Sequence, residues 1–186
     1  MIYTVECSFA DSLSEAEWND FYSLEKLPAL ISVTGFHSSQ RFRALSDGCP
    51  TYLAVHTIDG IDVLTGEEYR RKGGGNFAKW QQHITDWHRN LYSDIGLAPA
   101  VDADELLVLC ANSPQSLIQL GLSPLALHAV ALERTPEHRW LAKASRHDID
   151  HFRNISQQVH LYAPITGQLR SSRVLAAGQQ KQSCDA

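Results

Sequence analysis

The chain lacks most of the signatures that assign a function outright. Its four cysteines, Cys7, Cys49, Cys110 and Cys184, stand far apart and form no CxxC pair. That spacing is no disulfide framework and reads as free thiols in a reducing compartment. No apolar run approaches the roughly 20 residues that a membrane helix needs. Met1 to Ser12 carries Glu6 and Asp11 but no basic stretch, so no secretory signal is expected and a cytoplasmic location is. Without secretion, the glycosylation-type triplet Asn154-Ile155-Ser156 carries no meaning. Positive charge is in deficit, with 16 Lys and Arg against 21 Asp and Glu. Binding to nucleic acid or to an anionic membrane needs clustered positive charge, so neither partner is expected. There is also no GxSxG, no dinucleotide-binding fingerprint, no GxxxxGK[ST] phosphate loop and no HExxH.

What is present is ordinary globular composition, 186 residues with 44% apolar and 20% charged. This excludes collagenous, coiled-coil and wholly disordered chains, and it suffices for one domain of ordinary size or two small ones. Leu97 to Asp104 (LAPAVDAD) reads as a linker. On either side of it the contents differ. Of the 16 aromatic residues only Trp140, Phe152 and Tyr162 fall in the second half. Aromatic side chains supply large, shaped contact area, so the first half has either the larger core or an aromatic-lined pocket.

Residues 1–98 read as strand, helix, strand, strand, helix, strand. Met1 to Ala10 is β-prone. Ser14 and Glu17 have capping-box spacing before a helix with Trp18, Phe21 and Tyr22 on one face, and Pro28 is expected to end or bend it. Phe36 to Leu45 and Thr51 to Ile58 are strands around a turn with Asp47, Gly48 and Pro50. Asp62 to Lys72 reads as a charged helix broken by Gly73-Gly74-Gly75. Phe77, Trp80, Ile84 and Trp87 recur at helical spacing, with a short strand expected at Arg89 to Ser93. Residues 99–177 repeat the order more faintly: strands at Glu105 to Ala111, Leu127 to Arg134, Arg139 to Ala144 and Val159 to Ala163, and helices at Ser113 to Leu120 and Arg146 to Ile155. The polar tail from Gly178 is expected to be mobile. The fold class expected is α+β: two tandem ferredoxin-like βαββαβ units, residues 1–98 and 99–177, with antiparallel sheets packed against each other.

The run Leu27-Pro28-Ala29-Leu30-Ile31-Ser32-Val33-Thr34-Gly35-Phe36, continuing into Ser38-Ser39-Gln40-Arg41-Phe42, resembles the helix-to-strand passage of the dimeric α+β barrel superfamily. Trp87-His88-Arg89-Asn90-Leu91-Tyr92 would lie near that unit's last strand. The resemblance covers residues 1–95, and 105–165 by topology only. It implies a barrel that usually needs two subunits and that this chain would complete alone, with pairing as a homodimer left open. The superfamily includes cofactor-free monooxygenases, lactone isomerases, haem-dependent enzymes, dehydratases and many uncharacterised proteins.

Histidine titrates near neutrality and is the most useful reagent here. Strand alternation places His37, Ser39 and Arg41 on one face, and Phe36, Ser38, Gln40 and Phe42 on the other. Tyr52, Ala54 and His56 share a face of the next strand. His37 and His56 are the candidate acid–base residues, with Tyr52 and Arg41 to orient substrate or stabilise its charge. Trp80, His83, Trp87 and Phe42 are candidate substrate-binding residues. Each also has a plain structural reading as a core or packing residue. The Arg70-Arg71-Lys72 run before the three glycines reads as a solvated turn rather than an anion site. His147 and His151 have i, i+4 spacing, but Asp148 and Asp150 beside them suggest an exposed face. No metal is assigned. Haem on a lone axial histidine (His56, His83 or His128) is the lesser alternative, and no cofactor is expected.

Two functions remain open from the residues alone. One is a small-molecule enzyme using cofactor-free acid–base chemistry, of isomerase, lyase or monooxygenase type, on an aromatic or polyketide-like substrate. The other is a non-catalytic small-molecule-binding or protein-interaction module of the same fold.

Overall fold

The computed structural model describes residues 1–93, 96–148, 152 and 159–172. Strands rich in β-branched and aromatic residues dominate it. In chain order they are β1 (Ile2–Phe9), β2 (Phe36–Ala44), β3 (Tyr52–Ile58), β4 (Ile84–Tyr92), β5 (Glu105–Cys110), β6 (Leu125–Leu132), β7 (His138–Ser145), β8 (Val159–Pro164) and β9 (Leu169–Arg170). Helical segments are short: α1 (Glu15–Asp20), α2 (Leu27–Ile31), α3 (Ile61–Thr65), α4 (Glu67–Arg71) and α5 (Gln115–Gln119). No helix among the described residues is long and apolar enough to cross a membrane.

Strands β3-β1-β4-β6-β7-β5-β8-β2 are hydrogen-bonded in that order, and β2 returns to β3. The result is a closed antiparallel barrel of eight strands with β9 added on β2. The two sheets expected from the sequence are therefore one continuous sheet, because β4 pairs with β6 and β8 with β2. Closure leaves none of the eight strands with an unpaired edge.

Period-2 alternation sorts the apolar side chains into three cores. One contains Ile2, Phe42, Leu53, Tyr92, Leu107, Leu127, Leu141 and Tyr162. It takes a residue from each of the eight strands, so it fills the barrel lumen. A second lies outside the barrel, where Tyr3, Val5, Cys7, Tyr52, Ala54 and Leu91 meet Trp18, Tyr22, Leu27 and Leu30 of the helical layer. The third, with Val108, Cys110, Leu117 and Leu161, covers the outside of the second half. Burying each large apolar side chain contributes roughly 1.5–3 kcal/mol. The lumen also holds a buried ion pair, Glu6 with Arg139 at 2.8 Å.

The first helix does not end at Pro28. It runs from α1 through a π-helical turn, Phe21–Lys26, into α2, where Pro28 is the second residue. Leu27 N–H already reaches back to Tyr22 O, so the bonding register has shifted before the proline, which has no N–H to lose. The capping box at Ser14 does not form either. Ser14 Oγ donates to Asp11 Oδ2 instead, and Asp11 Oδ1 accepts from Leu13 N. Asp62 to Lys72 is two helices, α3 and α4, divided at Gly66, whose extended backbone (ψ 151°) interrupts the coil.

The aromatic stripe from Phe77 to Trp87 is not one helix. Ala78–His83 is a 3-10 segment, and Ile84 and Trp87 belong to β4, which pairs with β1 from Ile84 opposite Phe9 to Tyr92 opposite Ile2. A bulge between Glu6 and Ser8 shifts the register there, so 3-4 spacing mimicked a helix across a kinked strand. The stretch read as a linker closes the barrel mouth. Ala98 and Val101 are buried, and the Gln40 side-chain amide donates to Val101 O and accepts from Val101 N. The helix expected at Arg146 to Ile155 begins as a 3-10 turn, Arg146–Asp148. Except for Phe152, its remainder lies outside the described residues, as do His151, Cys184 and the tail from Gly178. Strand β9 has no counterpart in the sequence reading.

Candidate functional site

The helical layer of the first half lies over the outer face of β1, β2 and β3. Between them is a small cavity lined by Tyr3, Tyr22, Lys26, His56, Tyr69 and Trp87, among others. Its volume is about 10 Å³, room for one water or a diatomic molecule.

His56 is fully buried, at 0% exposure. Its Nδ1 lies 2.8 Å from Ser39 Oγ on the neighbouring strand. Its Nε2 has no hydrogen-bond partner among the described residues. Tyr3 stacks on the ring at 5.4 Å, and Phe36 meets it edge-on at 5.5 Å. Burial, with the nearby Lys26 charge adding to it, pushes the imidazole down to about 3. His56 is thus neutral at any ordinary pH. When Ser39 donates to Nδ1, Nε2 carries the ring proton and offers it to the cavity. A ring so hard to protonate is a poor general base, but it is a good neutral hydrogen-bond donor.

The base that fits the site is a residue the sequence reading passed over. Lys26 ends the π-helical turn and is 7% exposed. Its ammonium donates to the backbone oxygens of Gly73 and Asn76 and lies over the rings of Tyr22 and Phe77, at 5.7 and 5.3 Å. Burial lowers it to about 8, within reach of both protonation states near neutral pH. The signal was present: Trp18, Tyr22 and Lys26 follow one another at i, i+4, so the lysine extends the buried face. Isolated π turns are rare and occur often at functional sites. Tyr69 and Tyr3 complete the polar rim, their hydroxyls 3.3 Å apart, and burial holds the Tyr3 phenol well above its ordinary value.

The candidates named from the sequence separate in space. His56 and Trp87 line the cavity. Arg41 and Tyr52 lie on the same outer face but do not line it. The Arg41 guanidinium stacks on Tyr22 at 4.1 Å and donates to Asn19 O, Asn19 Oδ1 and Ser23 Oγ, a packing arrangement in which burial lowers it to about 10. Tyr52 Oη donates to Glu15 and accepts from Asn19. Trp80 lines a separate surface hollow with Phe21 and Leu24, and His83 lies against Phe9. Phe42 is in the lumen, on the opposite face from His56. The face assignment of Phe36 is corrected: a bulge between Phe36 and Ser38 turns it to the His56 side, away from Ser38, Gln40 and Phe42.

His37 lies in an open cleft of about 540 Å³ with Thr34, Phe36, Asp59, Arg170 and Ser171. Its Nε2 is 2.5 Å from Asp59 Oδ1, which fixes the ring. Phe36 forms part of the cleft wall and also packs on His56. The two histidines therefore serve separate spaces, with Phe36 common to both surroundings. Of the cysteines, Cys7 and Cys110 are buried, and burial raises the Cys7 thiol to about 12, which keeps it inert at ordinary pH.

No protein-family model and no curated protein matches this chain. Solved structures do. An anthrone oxidase-like protein shares its fold with a TM-score of 0.56 at 9% identity, covering 93% of this chain and 93% of its own. A candidate monooxygenase from Fusobacterium nucleatum subsp. nucleatum matches with a TM-score of 0.56 at 6% identity, covering 92% of this chain and 94% of its own. At such identities the likeness is one of fold, along nearly the whole of each chain.

Proposed function

We propose that the chain is a cofactor-free monooxygenase-type enzyme acting on an acidic aromatic or polyketide-like molecule at the Lys26–His56 cavity. One observation carries the reading: a π-helical turn brings a lysine lowered to about 8 into an aromatic-walled cavity beside a neutral histidine with a free Nε2. The names of the two structural neighbours agree with the reaction class. In this scheme the neutral Lys26 amine takes a proton from an activated CH₂ group of the substrate. The resulting enolate oxygen is held by the Lys26 ammonium and by His56 Nε2–H. The enolate gives one electron to dioxygen, and the substrate radical and superoxide combine to a hydroperoxide. Lys26 supplies the proton on its distal oxygen, giving R₂CH–OOH, and the neutral amine then takes the second C–H proton: the C=O forms as the O–O bond breaks, and the departing hydroxide takes that proton and leaves as water. The balance is R₂CH₂ + O₂ → R₂C=O + H₂O, with the substrate as the only reductant.

The cavity suits dioxygen as it stands. The substrate needs the strap Gly73–Asn76 to swing out, a segment held by Lys26 and carrying Gly73 and Gly75 in the left-handed region (φ 81° and 76°). We also read the barrel as two ferredoxin-like units in tandem, 1–98 and 99–177. The orders β2-β3-β1-β4 and β6-β7-β5-β8 repeat one pattern, which supports this division.

Oxygen uptake with anthrone and related enolisable aromatics is the test. Wild type should consume one O₂ per substrate. Lys26→Met should lower the rate by about 10²–10⁴, and His56→Phe by about 10²–10³, with circular dichroism unchanged. No uptake with any such substrate, or full activity in both variants, would overturn the proposal. A second reading, a non-catalytic binding module, is favoured by the small size of the Lys26–His56 cavity and the much larger cleft beside His37. It predicts saturable binding of the same aromatics without turnover, abolished by variants of His37 and Asp59.

A further inference from the structure

Strands β6 and β7 form a hairpin in which His128 and His138 are direct cross-strand partners. Leu127 and Ala129, on either side of His128, point into the lumen core, so the two imidazoles stand on the outer surface. Their Nδ1 atoms are 3.4 Å apart. Glu137 adds a carboxylate whose Oε1 is 3.8 Å from His138 Nε2. One ligand atom from each of the three lies within 4.8 Å of the others.

We propose that His128, His138 and Glu137 form a surface site for a borderline divalent transition ion, Zn²⁺, Ni²⁺ or Cu²⁺. Two nitrogens bound at about 2.05 Å in a tetrahedral shell stand roughly 3.3–3.4 Å apart, the separation the pair already has. Two neutral imidazoles at this distance can share only one proton between their Nδ1 atoms. An ion engages both lone pairs. The backbones that carry the histidines are fixed by a hydrogen-bonded ladder, so only side-chain ordering is needed on binding. The carboxylate, on an exposed side chain that lies nearest the Nε2 side of His138, turns toward the two Nδ1 atoms to join them. Imidazole and carboxylate donors select these ions over Mg²⁺ and Ca²⁺. Three protein ligands leave a fourth position for water or for a donor from another molecule. None of the three lines the His56 cavity or the His37 cleft, so the site is independent of the proposed reaction.

Trp140 supplies a readout, its ring 6.4 Å from that of His138. The untagged full chain is titrated with ZnCl₂ by calorimetry and with NiCl₂ by tryptophan fluorescence. Wild type should bind one ion per chain, with Ni²⁺ quenching part of the emission. His128→Ala and His138→Ala should each abolish saturable binding, and Glu137→Gln should weaken it. Trp140→Phe should remove the quenching while keeping the heat of Zn²⁺ binding. The positions are exposed, and the apo melting temperatures should match wild type. Absence of saturable Zn²⁺ binding by wild type, or unchanged binding in a His128→Ala, His138→Ala double variant, would overturn the proposal.

Discussion

Replacing Lys26 by methionine removes a charge that the fold holds at a cost. In the unfolded chain the amine titrates at its ordinary 10.5, and in the folded chain at about 8. Below pH 8 both states bind the proton, and the folded state bears the full penalty of burying it. Between pH 8 and 10.5 only the unfolded state stays protonated, so stability rises with pH and the penalty is relieved. A difference of about 2.5 pH units at 1.36 kcal/mol each is roughly 3 kcal/mol. The bonds to Gly73 O and Asn76 O, which Lys26→Met also loses, are together of the same order as this penalty, about 1.5–3 kcal/mol each as charge-assisted contacts. The absolute stability of Lys26→Met at pH 7 therefore lies near that of wild type. Its pH dependence does not. Wild type minus variant should rise by about 3 kcal/mol from pH 7.5 to pH 10.5. Arg41 and the buried tyrosines titrate equally in both proteins, so the difference isolates Lys26. Urea unfolding at intervals of half a pH unit measures it. Parallel curves for the two proteins would refute the assignment of Lys26 as a buried, depressed amine.

Two further outcomes follow from the packing. A Cβ at Gly74 would lie 2.3–2.4 Å from the Tyr69 ring, so Gly74→Ala should destabilise by about 1–3 kcal/mol by overpacking. Because Tyr69 lines the cavity, it should also alter KM for the aromatic substrate more than kcat, as steady-state oxygen uptake would show. Glu6→Ala leaves Arg139 without its carboxylate in the lumen and should cost about 3–5 kcal/mol in urea unfolding.

Strand identity was legible because these strands are short apolar or alternating runs bounded by turn residues. β2, β3, β5 and β8 lie within a residue or two of where patterning puts them. Closure was less legible, since the β4–β6 and β2–β8 pairings are long-range and no local pattern encodes them. Kinks misled in specific ways. The bulge opposite Ser8 gave Ile84 and Trp87 helical spacing, and the bulge after Phe36 moved that ring to the other face. Of the site, His56 and Trp87 were found because their residue types attract notice. Lys26 was missed because a lysine in a helix is ordinarily a solvated one. Only its place in the series Trp18, Tyr22, Lys26 marks it as buried. The histidine pair of the β6–β7 hairpin, ten residues apart, becomes a pair only through strand register.

The most direct test of the central claim is the pH profile of kcat/KM for oxygen uptake, which reports on the free enzyme's essential groups. If neutral Lys26 is the base, activity rises through about pH 8 with a slope of one, and His56, neutral throughout, contributes no limb. A limb in the ordinary histidine range, or a profile flat across pH 8, would contradict the account.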